Sequence, residues 1–217
     1  MKRLAIAITA SVIMLAGCQS DILQVEEMKK GEAPGANLKS AGLTCVNVRE
    51  QKDFLLAMDV EIDFSDLEAL FEILVAEFYP PQEGLLLYFD MNNSTVTGMG
   101  ASFGNIFEDY FEGMEAASIV AYQHQRGDGS TFIRLFHLFT SPLGSFITLD
   151  EAVQTPLNRH MVSRINNKLE IVAGTGIFEN VTGRIINNGS VQHIYLSEYE
   201  MIVPVSLEAN LHGRICY

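Results

Sequence analysis

Phe54-Leu55-Leu56-Ala57-Met58-Asp59-Val60-Glu61-Ile62-Asp63-Phe64 is the stretch that decides the fold. Phe54, Leu56, Met58, Val60, Ile62 and Phe64 recur at every second position, with Asp59, Glu61 and Asp63 between them. A period of two sends successive side chains to opposite faces, so the stretch reads as a strand with one face buried and one in water. The acidic trio is read as that solvated face rather than as a cation site, because the alternation alone calls for polar residues there.

Just downstream the period changes. Leu67, Leu70, Phe71, Leu74, Val75 and Phe78 follow helical spacing, Ser65 and Glu68 form a capping-box pattern, and Pro80-Pro81 ends the run. A helix over 66–78 is expected, and a second, weaker one within 105–117. Beyond them strands dominate, with candidates at 85–91, 119–125, 131–140, 168–173, 184–187, 190–196 and 203–215. Asn92-Asn93, Asp128-Gly129 and Asn188-Gly189 supply turn chemistry, and Asn187-Asn188-Gly189-Ser190 is the sharpest hairpin signal. Arg126-Gly127-Asp128 matches a cell-adhesion tripeptide but reads as a polar hairpin turn. Short strands at this density point to a mainly β fold. The expectation is a single closed antiparallel β-barrel over 45–217, calycin-like, of about eight strands with one or two short helices.

A later pattern narrows this further. Ser141-Pro142-Leu143-Gly144-Ser145-Phe146-Ile147-Thr148-Leu149-Asp150 is followed by Leu169-Glu170-Ile171-Val172-Ala173-Gly174-Thr175-Gly176-Ile177-Phe178-Glu179-Asn180-Val181-Thr182-Gly183. The second piece resembles the strand–turn–strand signature of the allene oxide cyclase/dirigent-like β-barrels. In that signature an apolar strand is followed by Gly-Thr-Gly, a spacer, Phe and a closing Gly. Gly174, Thr175, Gly176, Phe178 and Gly183 carry the match. Glycines open backbone conformations closed to other residues, and the resemblance implies that Phe178 folds back as a plug at the barrel end. Ala173 stands where the family often has another Gly, and Asn180-Val181 replaces its usual small pair. The resemblance implies a fold and transfers no catalytic residue.

The N-terminus reads as an address. Lys2 and Arg3 precede an apolar run over 4–15, and Leu15-Ala16-Gly17-Cys18 closes it. The order of these parts is that of a secretory signal, and the run is too short to span a bilayer. The last four residues resemble the lipobox of bacterial lipoproteins. The resemblance implies that 1–17 is removed and that Cys18 is acylated. Residues 18–44 then form a tether to a membrane, and acyl chains make the attachment. Gln19, rather than Asp, after the cysteine favours the outer membrane over the inner.

Charge sets the partners that are excluded. The chain has 217 residues, 14 Lys+Arg against 27 Asp+Glu and a net charge of −13. That balance argues against nucleic acid, which is bound through cations that displace phosphate counterions. At 48% hydrophobic and 19% charged residues the chain is too apolar for disorder. His124, His137, His160, His193 and His212 show no metal-ligand spacing. No nucleophile elbow, phosphate loop or dinucleotide fingerprint is present. No metal, cofactor or catalytic residue is therefore expected.

Inside a barrel, Tyr88, Tyr122, His124, Arg134, Phe136 and His137 are the candidate ligand contacts. His124, Arg134 and His137 stand as polar groups on apolar strands. Either they orient a bound carboxylate or hydroxyl, or they face outward on ordinary strands. Cys45 and Cys216 are the thiols that remain once Cys18 is acylated. Cys45 lies just before the first long strand and Cys216 at the end of the last, and those strands are neighbours in a closed antiparallel barrel, so a disulfide fastening the seam is expected. The functional expectation is a membrane-anchored, non-enzymatic lipoprotein whose barrel binds a small apolar ligand or a protein partner. Two alternatives are an isomerase or cyclase acting on an apolar substrate within the barrel, and a structural envelope protein with a solid one.

Overall fold

The computed structural model describes residues 43–79 and 84–217. The signal segment, Cys18, nearly all of the tether and the Pro80-Pro81 stop lie outside the described residues. The described chain is mainly β. It runs β1 (Cys45–Asp63), α1 (Glu68–Phe78), β2 (Tyr88–Asp90), β3 (Thr95–Phe103), β4 (Glu115–Gln125), β5 (Thr131–Ser141), β6 (Gly144–Gln154), β7 (Val162–Gly174), β8 (Thr182–Leu196) and β9 (Met201–Cys216). A short 3-10 turn, Gly176–Phe178, joins β7 to β8.

Every ladder is antiparallel, and the order is β1-β9-β8-β7-β6-β5-β4-β3-β2, with β3 also paired to β1. That last pairing closes an eight-stranded ring, with β2 attached to β3 beside it. Closure removes the open sheet edges that otherwise invite aggregation. Cys45 pairs with Cys216 at one end of the β1–β9 ladder, and the two are disulfide-bonded.

Two layers of apolar packing follow from the pleat. One cluster takes residues from all eight ring strands, among them Val48, Phe103, Ala116, Phe139, Phe146, Leu169, Ile185 and Leu211. It lines the inside of the ring. Phe178 plugs the Cys45 end as the motif implies; it is fully buried, with its ring centroid 5.1 Å from Phe146, 5.3 Å from Phe111 and 5.6 Å from Tyr217. A second cluster joins Leu70, Phe71, Leu74 and Phe78 of α1 to Val60, Ile62, Ile119, Phe136, Leu138 and Ile147. It draws on one side of the ring only, so α1 lies against the outside of the barrel.

Several expectations are corrected. The register of β1 shifts between Ala57 and Val60. This bulge moves the even-numbered residues from the inner face (Phe54, Leu56) to the outer face beneath α1 (Val60, Ile62). The regular alternation in sequence hides a change of side, and Met58, within the bulge, is exposed. Ser65 does not cap α1; the residue before the helix is Leu67, with no side-chain bond, and the Ser65 amide donates to Asp63 Oδ1. Residues 105–114 form turns rather than a helix, and β4 begins at Glu115. Positive φ at Asn105, Phe107 and Gly113 breaks the helical path there. Ile106, Phe107, Phe111 and Met114 are still buried, capping the ring at helix-like spacing.

Asn187-Asn188-Gly189-Ser190 is no hairpin. It lies within β8, with Asn188 opposite Asn166 on one side and Asn210 on the other. Gly189 serves close approach instead, since a Cβ there would sit 2.3 Å from the Glu208 carbonyl oxygen. The Asp128-Gly129 turn is present, with Asp128 Oδ1 accepting from the Ser130 amide at 2.9 Å.

Candidate functional site

The register carries a polar seam along the inner face of the ring. Ser118 on β4 opposes His137 on β5, which opposes Thr148 on β6. Asp150 opposes Leu135 and Leu169, Ala152 opposes Asn167, and Asn167 opposes Asn187. Ser118, His137, Thr148, Asp150, Asn167 and Asn187 are all buried. Directly opposed side chains in an antiparallel pair have Cβ atoms about 5 Å apart, and diagonal neighbours about 7–8 Å. The seam is therefore one contiguous strip across five strands, β4 to β8.

Its centre is a His–Asp pair. His137 Nδ1 bonds to Asp150 Oδ2, and the Asp150 side chain is fully buried. The imidazole is held between Phe103 and Phe139, each ring centroid 5.8 Å away and nearly parallel. Burial pushes the Asp150 carboxyl above the usual carboxylate range; His137 and, less strongly, Thr148 pull against that rise.

Four side-chain oxygens on this strip make no hydrogen bond of good geometry: Asp150 Oδ1, Asn167 Oδ1, Asn187 Oδ1 and Thr148 Oγ1, the last a hydroxyl that can itself donate to Asp150. An unpaired buried acceptor costs about 1–3 kcal/mol, so the two amide oxygens and the carboxylate oxygen on neighbouring inner positions of β6, β7 and β8 mark a place where a donor belongs. Beside them runs an apolar wall. Ile133, Leu135 and Ala152 form one cluster with Val120 and Ile165, and Ala152 opposes both Ile133 and Asn167. Farther along, Gln154 Nε2 contacts Ser163 Oγ at 2.5 Å and His193 Nε2 at 3.2 Å. Burial lowers the His193 pKa below the ordinary histidine value.

The residues nominated from sequence are scattered. His137 faces the seam. Phe136 is fully buried on the opposite face of the same strand, packed under α1 with Phe64 and Phe78. Arg134 lies over the Phe78 ring at 5.5 Å and pairs with Glu77, so it clamps the helix from outside. Tyr88 and His124 are exposed and Tyr122 half-buried; the His124 ring packs at a tilt against Tyr122 (centroids 5.6 Å) and Phe132 (5.4 Å). Asp150, Thr148, Asn167 and Asn187 went unnominated. Each is a polar residue at an alternate position of an otherwise apolar or mixed strand, and that signal becomes readable once the inner parity of β6–β8 is known.

No cluster of three or more histidine, cysteine or acidic side chains fit to hold a metal occurs among the described residues. Two depressions of about 500 Å³ each lie along the β1–β9 seam, one lined by Arg49, Glu50, Gln51, Asn210, Leu211 and His212 and the other around Cys45 and Cys216. Neither includes the seam acceptors. Compared with family models, curated proteins and solved structures, the chain matches none.

Proposed function

We propose that this chain is a lipid-anchored protein of a bacterial envelope whose barrel holds a small molecule with an apolar body and hydrogen-bond donors. One observation carries the reading: the buried oxygens of Asp150, Asn167 and Asn187, without hydrogen-bond partners, lie together on β6–β8 beside an apolar wall. A guest that donates to Asn167, Asn187 and Asp150 and rests on Ile133, Leu135 and Ala152 satisfies both surfaces. No redox or group-transfer step is needed, so the reading is of a binding module. The likeness of the Gly174–Gly183 segment to allene oxide cyclase/dirigent-like barrels supports it at the level of architecture.

The guest is tested by native mass spectrometry of protein purified from its own host, with the double variant Asn167→Leu/Asn187→Leu alongside. Added mass on the natural chain and none on the variant supports the reading. If the natural chain carries no added mass and the double variant melts higher, the acceptors are simply unpaired and the reading fails. The anchor is tested separately. Cys18→Ser should move the protein out of the membrane fraction, and a processed variant that stays there refutes acylation at Cys18.

The His137–Asp150 pair favours a second reading, an isomerase or cyclase that moves a proton on the guest. It requires the retained molecule to change in structure on the protein and His137→Gln to stop that change while leaving the guest bound.

A further inference from the structure

The ring is closed over most of its length, yet two strands part company at the end away from Cys45. The β1–β9 ladder stops at Leu55 and Ser206. Beyond it β1 pairs with β3 alone, and β9 continues from Val205 back to Met201 paired with β8 alone. The last pairing of β7 with β8 is Val162–Gln192. Residues 194–203 therefore extend as a two-stranded ribbon rooted at the buried His193, and among the described residues one edge of β9 has no strand beside it.

The ribbon is apolar where it should be polar. Ile194, Tyr195, Tyr199, Met201 and Ile202 are exposed, with Tyr195 and Ile202 directly opposed at 58% and 47%. Leu55 and Met58 are exposed on the adjoining part of β1. Large apolar side chains grouped on a free edge are characteristic of a surface that a partner covers.

Charge identifies the kind of partner. Glu198 and Glu200 in the ribbon turn, and Asp59, Glu61 and Asp63 on β1, are all exposed. The sequence has no lysine or arginine between Lys52 and Arg126, nor between Arg184 and Arg214. Both segments are thus free of cations, and the exposed Arg126, Arg159 and Arg164 of the neighbouring turns and β7 at this end are outnumbered by the five acids. A second copy would bring the same acids against them, and an anionic lipid surface would be repelled as well. We propose that the free β9 edge at Met201–Val205 takes up an extended, basic segment of a partner protein by strand addition. The main chain supplies the bonds, while alternate apolar side chains meet Ile202 on β9, with the exposed Tyr195 ring one strand farther on the same face. Pro204, within this edge, has no N–H to give, so the bonds there come from its neighbours.

The probe is a fluorescent eight-residue peptide of alternating Lys and Val, with an alternating Glu and Val peptide as control, followed by anisotropy and amide exchange. The Lys peptide should bind, weaken as salt rises, and slow exchange at Met201–Val205, while the Glu peptide should not bind. Tyr195→Lys/Ile202→Lys, both at exposed positions, should leave the melting temperature unchanged and weaken binding at least tenfold. Absence of binding overturns the proposal. So does binding that the double variant leaves intact, which would reflect attraction to the net charge alone, and so does protection located elsewhere. Concentration-dependent self-association lost in the double variant would assign the edge to a second copy and likewise overturn it.

Discussion

Cys45 and Cys216, separated by 171 positions in the chain, face each other across the β1–β9 ladder with Cα atoms 4.0 Å apart and their sulfurs bonded. The bond fastens the first strand to the last at the end where the chain enters the ring. Thr44 and Tyr217 exchange two backbone hydrogen bonds, each 2.8 Å, just outside it. Covalent closure and ladder closure therefore reinforce each other.

Removing that bond should cost much of the stability. For a loop this long the chain-entropy relation gives roughly 5 kcal/mol as an upper value. Cys216→Ser, or reduction of the natural chain, should lower the denaturant midpoint with little change in the folded-state circular dichroism. An unshifted midpoint would mean that the ladder alone holds the seam.

This pairing was legible because it needs only the first strand, the last strand and closure. The helix was legible because Leu70, Leu74 and Phe78 repeat at its spacing whatever they pack against. The bulge in β1 was not, since a bulge leaves the alternation in sequence intact while exchanging the two faces. Nor was the role of Gly189, because the same Asn-Gly pair serves a tight turn or a close approach between strands. Neighbouring backbone that the local sequence does not contain decides which.

Leu74 on α1 is fully buried against the outer face of β3–β6. Leu74→Ala should lose about 2–5 kcal/mol through lost transfer and the cavity left behind. Leu74→Asp should lose more, because the charge has no partner there. A melting temperature unaffected by Leu74→Asp would place the helix face in water.

The glycine motif gives a sharper test. Gly176 has φ +61°, and a Cβ on it would lie 2.3 Å from the Leu143 carbonyl oxygen; a Cβ on Gly174 would lie 2.2 Å from that of Phe178. Gly176→Ala pays for both strain and overlap, whereas Gly174→Ala meets overlap alone. Each should destabilise by at least about 1–3 kcal/mol, measured by chemical denaturation. Thr175→Ala, one residue away, leaves the backbone path untouched and should cost less than either. Equal losses at all three positions would refute the assignment of the effect to backbone approach.

The candidate site was legible only at His137. Its strand is apolar on both faces, because α1 covers the outside while the ring encloses the inside. Hydropathy therefore does not say which of Arg134, Phe136 and His137 points inward. Asn167 and Asn187 look like ordinary surface residues in sequence, and closure of the ring is what buries them.

The Asp150 carboxyl sets a pH dependence whose sign can be worked out. Its folded pKa is raised by burial above the value of 3.8 for a free side chain, so the folded state holds the proton to higher pH than the unfolded state does. The stability linked to this group is fully present below about pH 3.8 and is lost as pH rises through the folded value, by up to about 1.4 kcal/mol per pH unit for one proton. Asp150→Asn cannot ionise, and its amide oxygen can still accept from His137 Nδ1–H. His193, whose lowered pKa makes stability fall below about pH 6.5, is present in both proteins and cancels in the comparison. The melting temperature of Asp150→Asn minus that of the natural chain should therefore increase from pH 4 to pH 7. A flat difference would show that the carboxyl titrates alike in both states. A decreasing one would show that the bond from His137 outweighs burial.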